Sequence, residues 1–206
     1  TSNGRAYEVG ALLIAGAPVL AALAQHPLMP VAEWYKLMAS NGITATSEHT
    51  YQGNQLKAYI AMAMAPDSPL RISLYHMSIE ADCDQPVQTP IPENKLKKQG
   101  IKLWADGSPW NGTIASSFPY LDNDVTRNAN IPIGPGGEAA MNYTRAQLDE
   151  ILDRVVPSGY QMAFHCNGDA GMDVVLDAYE RALNKFNLIG TDHRWRIEHM
   201  GGCRAD

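Results

Sequence analysis

The segments Y160-Q-M-A-F-H-C166 and D169-A-G-M-D-V-V-L-D-A-Y-E-R-A-L183 together predict one βα unit. The first segment is short and apolar, which is typical of a buried strand, and the second has a helical pattern that Asp169 can begin as an N-cap. Four further strand-like segments begin near Gly42 (GITATSE), Arg71 (RISLYHM), Gly100 (GIKLWAD) and Arg194 (RWRIEHM). The five starts lie 29, 29, 60 and 34 residues apart, and one βα unit needs about 30 residues. The pattern therefore predicts a series of βα units.

Helical patterns fill the intervals at 31–39, 55–64 and 144–156, the last with Thr144 as a good N-cap. Strands that alternate with helices at this period predict an α/β fold with a parallel sheet. Such a sheet is either open and doubly wound or part of a (β/α)8 TIM-type barrel that lacks some units. No Gly-rich phosphate loop follows an early strand, so a doubly wound nucleotide-binding enzyme has little support. The longest interval holds a loop excursion at 109–142, and such long loops are usually lids or binding loops.

The composition is that of one globular domain, 1–206, with 45% apolar and 18% charged residues. A net charge of −6 without a cluster of Lys and Arg argues against nucleic acid and anionic membranes as partners. No apolar run reaches the roughly 18 residues of a membrane span. Three cysteines at unrelated spacings exclude a disulfide framework and indicate a reducing, cytoplasmic location.

Two histidines end predicted strands one βα unit apart. His165 closes the strand that begins at Tyr160, and His199 closes the strand that begins at Arg194. In a barrel, catalytic groups come from the carboxyl ends of several strands, so the two rings are expected to meet. Imidazole nitrogens bind Zn, Fe, Ni or Mn-type ions. The alternative is that each histidine only closes its strand through a hydrogen bond.

Lys102 lies inside the apolar strand I101-K-L-W-A105. Burial disfavours the ammonium, and a neutral amine can react with carbon dioxide to give an anionic carbamate that bridges two metal ions. The alternative is an ordinary lysine that extends to the rim or pairs with Asp106 or Glu198. The residues alone leave both possibilities open.

Three neighbours of the histidines have weaker predicted roles. Asp169 follows His165 by four residues and could orient its ring as well as begin the next helix. Glu198 should alternate in direction with His199 and face the helical layer as a structural residue. Cys166 should point away from His165, so this histidine cannot act as its base. Nucleophilic catalysis by the cysteine is therefore not expected.

Three motifs together resemble the YtcJ-like branch of the amidohydrolase superfamily, which is amidohydrolase family 3. They are I101-K-L-W-A-D-G-S-P-W-N-G-T113, H165-C-N-G-D-A-G-M-D-V-V-L-D-A-Y-E180 and R196-I-E-H199. S2-N-G-R-A-Y7 and N41-G-I-T-A-T-S-E48 are also similar to segments of that branch, although Arg5 stands where its members often have His. The resemblance runs in order across nearly the whole chain.

The resemblance implies a metal-dependent hydrolase that cleaves amide or other non-peptide C–N bonds of small molecules with a metal-activated water. It implies that Lys102 is the carboxylatable lysine of the fourth barrel strand and that His165 and His199 are metal ligands on the fifth and sixth. One or two divalent ions, with zinc expected, would be the cofactor. The pocket rim, close to substrate, would hold Asp106, Gly107 and Ser108.

Two features of the family are missing from the chain: the His-x-His pair of the first strand and the aspartate of the eighth. The chain is therefore expected to be a fragment with strands two to six of a larger barrel, holding an incomplete and weakly active site. Open sheet edges make a homo-oligomer possible. The alternative is a non-catalytic barrel fragment or assembly module without metal.

Overall fold

The computed structural model describes residues 16–23, 25 and 29–205, so the similar segment S2–Y7 lies outside the described residues. Within them, one sheet holds five strands in the order of the chain. The strands are β1 (Ala45–Tyr51), β2 (Arg71–Met77), β3 (Leu96–Trp104), β4 (Gln161–Gly168) and β5 (Arg196–Gly202). The pairs β3/β4 and β4/β5 are parallel. A doubly wound sheet reverses its strand order, whereas this sequential order is that of a partial TIM-type barrel, as predicted.

Helices occupy the intervals between the strands. They are α1 (Ala17–Leu23), α2 (Met29–Ser40), α3 (Leu56–Met64), α4 (Asp124–Ala129), α5 (Arg145–Val155) and α6 (Asp169–Lys185). The four predicted helices are therefore confirmed, with bounds that differ by up to a few residues, as is usual for helix ends. In the described part of the chain, every helix is too short or too polar to cross a membrane.

The chain divides into two compact units. The first comprises Thr1–Glu48, Gly53–Leu74 and Val87–Lys97. Among its described residues, the Tyr59 hydroxyl donates to Glu48 Oε2 at 2.9 Å, and Arg71 Nη2 donates to Thr44 Oγ1 at 3.1 Å. The prediction of a single domain over 1–206 stays a prediction.

The second unit comprises His49–Gln52, Tyr75–Pro86 and Lys98–Asp206, and it contains every candidate site residue. Its core forms because α5 and α6 turn their apolar faces towards the outward side chains of β3 and β4. The buried residues include Ile101, Leu103, Leu148, Leu152, Val155, Met162, Phe164, Val174, Val175, Ala178 and Ala182. Thr144 caps α5 as predicted, because its hydroxyl accepts from Gln147 N while the Gln147 side chain accepts from Thr144 N.

Three of the differences from the prediction have local physical reasons. β3 begins at Leu96, four residues before the predicted start at Gly100, because the buried side chain of Leu96 packs in the core. The polar residues Lys97, Lys98 and Gln99 that follow it show no apolar strand pattern in the sequence. β1 begins at Ala45 because Gly42, with φ +82°, forms a turn first. The loop 109–142 contains the short helix α4, which Asn123 and Thr126 stabilise with a capping box.

Candidate functional site

Lys102 lies on β3 with only 2% of its surface exposed. Its Nζ is 5.2 Å from the centroid of the Trp104 ring, and among residues 29–205 no hydrogen bond or salt bridge of this amine is present. Burial lowers the pKa of Lys102 to about 8; Glu198 opposes this shift and Arg196 adds to it. The alternative of a lysine that extends to the rim is therefore wrong. Among the same residues no hydrogen bond or salt bridge joins the amine to Asp106 or Glu198, although the charge of Glu198 acts on it. The amine is buried, and a substantial fraction of it is neutral near pH 8.

His165 lies near the end of β4, next to Trp104 of β3 in the parallel register. Its Nε2 is 2.7 Å from the carbonyl oxygen of Gly107 and 3.8 Å from Asp106 Oδ1. A carbonyl only accepts, so this hydrogen bond requires the proton on Nε2 and leaves the lone pair of a neutral ring on Nδ1. Within the described residues Nδ1 makes no hydrogen bond. This nitrogen is therefore the one that is available to a metal ion.

His199 lies on β5 beside His165, and the two ring centroids are 4.5 Å apart with the planes at 65°. Partial burial lowers the pKa of His199, and the neighbouring His165 and Lys102 lower it further. The lowered pKa favours the neutral form of the ring, which keeps a lone pair. The three predicted metal ligands thus lie on three consecutive strands, with the two imidazole rings in contact. Their binding of a metal ion stays a prediction.

The backbone of β5 is irregular at this point. His199 has φ +79° and Met200 has φ +52°, in the left-handed region that non-glycine residues rarely adopt. The register between β4 and β5 also shifts between Cys166 and Gly168. Strain of about 1–3 kcal/mol in such residues persists where the surroundings impose it, and often at functional sites.

The prediction that Glu198 faces the helical layer is wrong. Glu198 is the register partner of His165, and register partners in a parallel sheet share a face. Its carboxylate bonds the guanidinium of Arg196, which lies 4.8 Å from the centroid of the Tyr75 ring. Strict alternation fails because the left-handed backbone begins at His199, so both residues approach the site.

Asp106 holds the loop that follows β3. Only 1% of this residue is exposed, and its carboxylate accepts from Asn167 N at 2.9 Å, Ala115 N at 3.0 Å and Gly168 N at 2.7 Å. Its oxygens are therefore largely occupied by backbone donors that lie far apart in the sequence. This role was not predicted, because only the tertiary structure brings those donors together.

Gly107 and Ser108 follow Asp106 at the end of β3. The Gly107 carbonyl accepts from Asn167 Nδ2 at 2.9 Å as well as from His165, and Ser108 N donates to Thr113 Oγ1 at 2.9 Å. Both residues are partly exposed. Their contact with substrate stays a prediction, as does that of Asp106.

Asp169 is the first residue of α6, with Gly168 as the N-cap. Its carboxylate accepts from Ser117 N at 2.7 Å, from the Ser117 hydroxyl, and from Arg204 Nη1 at 3.3 Å. Burial raises the pKa of Asp169, but the hydrogen bonds from Ser117 and Ala170 N and the charge of Arg204 together hold the pKa below its usual value. The polar groups nearest to the His165 ring are those of Gly107, Asn167 and Asp106, and the His199 ring lies beside it. Among the described residues Asp169 makes no contact with His165, so it positions the loop instead of the predicted histidine ring.

Cys166 is buried, and its thiol contacts the carbonyl of Gly168 at 3.6 Å. Burial, together with the charge of Asp106, raises the pKa of this thiol to about 12. A thiol in this state is a poor nucleophile. The burial and raised pKa of Cys166 therefore argue against cysteine chemistry at this position.

Comparison with known proteins gives a family match and two similar structures. The model of a family described as the amidohydrolase family matches residues 15–206. The structure of an uncharacterized metal-dependent hydrolase from Pyrococcus horikoshii OT3 has a TM-score of 0.65 and 22% identity over 87% of this chain and 33% of that chain. One from Pyrococcus furiosus has a TM-score of 0.63 and 24% identity over 85% and 34%. No curated protein matches the chain. The chain spans about a third of the length of these two structures.

Proposed function

The chain belongs to the amidohydrolase family, and from this membership we propose that it carries part of the catalytic centre of a metal-dependent hydrolase of the YtcJ-like branch. The reaction proposed is hydrolysis of amide or other non-peptide C–N bonds in a small molecule. One observation carries the proposal: three consecutive parallel strands bring a buried lysine and two histidines with adjacent rings to one place.

The three side chains fit a divalent metal ion such as zinc in their donor chemistry. His165 presents Nδ1 because its Nε2 bonds Gly107. A lowered pKa favours the neutral ring of His199, and Lys102 is buried without a hydrogen-bonded or salt-bridged partner among the described residues. These residues would hold one or two ions. When bound, the metal would activate water as a nucleophile and polarise the scissile carbonyl.

Lys102 would enter the site as a carbamate. The neutral amine forms an N–C bond with carbon dioxide and releases one proton, which converts a base into an anionic oxygen ligand. A pKa of about 8 leaves roughly a tenth of the amine neutral at pH 7 and half of it neutral at pH 8. Carbamate formation is therefore expected to increase with pH through this range.

Substrate would approach the end of β3. Among the three predicted rim residues we propose Ser108 as the main contact, because the Asp106 carboxylate and the Gly107 carbonyl are already engaged. In the whole enzyme, the His-x-His pair and the aspartate of the family would complete the metal centre and transfer a proton to the leaving amine. A cytoplasmic location and a homo-oligomer are further proposals.

Metal analysis tests the proposal directly. The chain is equilibrated with zinc and carbonate at pH 8 and dialysed, and its zinc affinity is compared with that of Lys102→Ala, His165→Ala and His199→Ala. Each variant should bind zinc at this site at least about tenfold more weakly, since even outer partners of a metal ligand contribute about 10- to 100-fold.

His193→Ala is the control, because this histidine belongs to the same unit but lies against Trp195. Its zinc affinity should be that of the unchanged chain. Equal zinc affinity in all three ligand variants would contradict the proposal and favour the non-catalytic barrel fragment. The same variants in the whole enzyme should lose most of their turnover of small amides.

A further inference from the structure

A second group of potential metal ligands lies where β2 ends. It consists of His76, Glu80 and Asp82, here called the His76 cluster, whose ligand atoms all lie within 4.8 Å of one another. His76 Nε2 is 2.5 Å from Glu80 Oε2 and 3.9 Å from Asp82 Oδ1. One ring nitrogen therefore faces two carboxylates.

The burial of the three residues differs in a way that suits a bound cation. His76 is 2% exposed, whereas the side chains of Glu80 and Asp82 are 27% and 68% exposed. The imidazole thus forms the fixed inner wall of the cluster, and the carboxylates leave an open side to solvent. An ion could enter from that side and keep water among its ligands.

A proton on His76 Nε2 can bridge to only one of the two carboxylates, whereas a divalent cation can contact both. Nε2 carries at most one proton, and it is close enough to share it only with Glu80. A divalent ion would contact the nitrogen and both carboxylates together, and mixed nitrogen and oxygen donors suit zinc, manganese and related ions. His76 Nδ1 is buried without a hydrogen-bond partner in the part of the chain that the structure describes. The Glu80 carboxylate can only accept, so without an ion the proton of a neutral ring lies on Nε2. A bound cation would take the place of this proton, which would move to Nδ1.

The loop that carries the carboxylates is held in place by backbone contacts. Arg154 donates to the carbonyls of Ser78 and Ala81 at 3.0 and 3.2 Å. Lys98 donates to the carbonyls of Cys83 and Gln85, both at 2.6 Å. These two cations bind backbone oxygens of the loop and so hold its backbone in place.

The His76 cluster is next to β3 but does not share the face of Lys102. Ser78 N donates to the Lys102 carbonyl at 2.9 Å. His76 alternates with Tyr75, whose hydroxyl donates to Gln161 on the inner face of the sheet, so the imidazole points to the other face. A ligand at the cluster would therefore act on the loop and not on the lysine amine.

We propose that His76, Glu80 and Asp82 bind a second divalent cation, of the zinc or manganese type, which fastens the loop 78–86 to the end of β2. The site is separate from the ligands assigned in the proposed function and does not depend on them. Its role is to order the backbone that runs beside Lys102.

Zinc titration tests the site in a background that removes the other ligands. In the chain carrying His165→Ala and His199→Ala, calorimetry should still detect one zinc equivalent. Adding Glu80→Gln and Asp82→Asn should weaken this binding at least about tenfold, because two of three protein ligands are lost. Both residues are partly or largely exposed, and circular dichroism verifies that the variant remains folded.

The control adds Asp84→Asn and Glu93→Gln to the same background, which removes the same formal charge from the interval between β2 and β3. Its zinc affinity should be unchanged within about twofold. Equal affinity in the cluster variant, or an equal loss in the control, would overturn the proposal. Amide exchange over 78–85 should slow at least threefold on adding zinc, and an unchanged rate would also overturn it.

Discussion

Replacing Lys102 with methionine should stabilise the metal-free chain at neutral pH. The side chain is 2% exposed and its pKa is lowered from 10.5 to about 8, chiefly by burial. Since one pKa unit corresponds to about 1.4 kcal/mol, keeping the ammonium in this place costs about 3 kcal/mol at pH 7. Methionine is unbranched and apolar, so it can fill the same space without that cost.

The stability gained by Lys102→Met should decrease as the pH rises, because the folded and unfolded chains bind different numbers of protons at Lys102. Between pH 8 and 10.5 the unfolded chain binds more protons at Lys102 than the folded chain does. The free energy of unfolding of the wild type therefore rises with pH in this window, and that of the variant lacks this rise. The advantage of Lys102→Met should decrease from about 3 kcal/mol at pH 7 to about 1.5 kcal/mol at pH 9.5.

The assay is urea unfolding at both pH values in chelator-treated, carbonate-free buffer. Lys98, whose pKa is also about 8, is present in both proteins, so its titration cancels in the difference. Lys97→Met is the control on the same strand; Lys97 is exposed, and its replacement should change stability by less than about 0.5 kcal/mol. A Lys102→Met variant that is no more stable than wild type at pH 7, or whose advantage is independent of pH, would refute the reasoning.

Three further substitutions test how the loop after β3 is held, each by urea unfolding at pH 7. Asp106→Asn should cost about 2–3 kcal/mol, because an amide cannot accept all three backbone hydrogen bonds; a loss below 1 kcal/mol would contradict this. Gly168→Ala should cost more than about 2 kcal/mol, because its Cβ would lie 2.1 Å from a backbone oxygen. Gly134→Ala, with open space around it, should be near neutral, and equal effects at the two glycines would argue against the close approach. Ser117→Ala should cost about 2 kcal/mol by removing a hydrogen bond to the buried carboxylate at the start of α6; wild-type stability would disprove that contribution.

The parts of the fold that were predictable are those set by local periodicity. The spacing of the strand-like segments is a property of each βα unit alone, and the capping box at Thr144 lies within four residues. The extension of β3 back to Leu96 was not predictable in this way. Its polar residues lack an apolar pattern, and only the parallel ladder makes them part of the strand.

The candidate site was predictable where it follows from regular strands. Lys102 pairs with Ala163 of the neighbouring strand, and His165 lies two residues after Ala163. Lys102 and His165 therefore share one face of the sheet. The role of Asp106 was not predictable, because its three backbone donors come from one loop and from the end of β4, which meet only in the folded chain. Contacts of this range have no signal in a single sequence.

The irregular end of β5 shows why the remaining error arose at the site itself. Regular alternation would turn either Glu198 or His199 away from His165. The left-handed backbone at His199 instead lets its ring approach His165 while Glu198 keeps the register of the inner face. Such a backbone costs free energy, as does the unpaired Lys102. Two unfavourable local features that converge on one pair of histidines are expected of a site selected for binding, because stability alone would favour a regular strand and an apolar residue in their place.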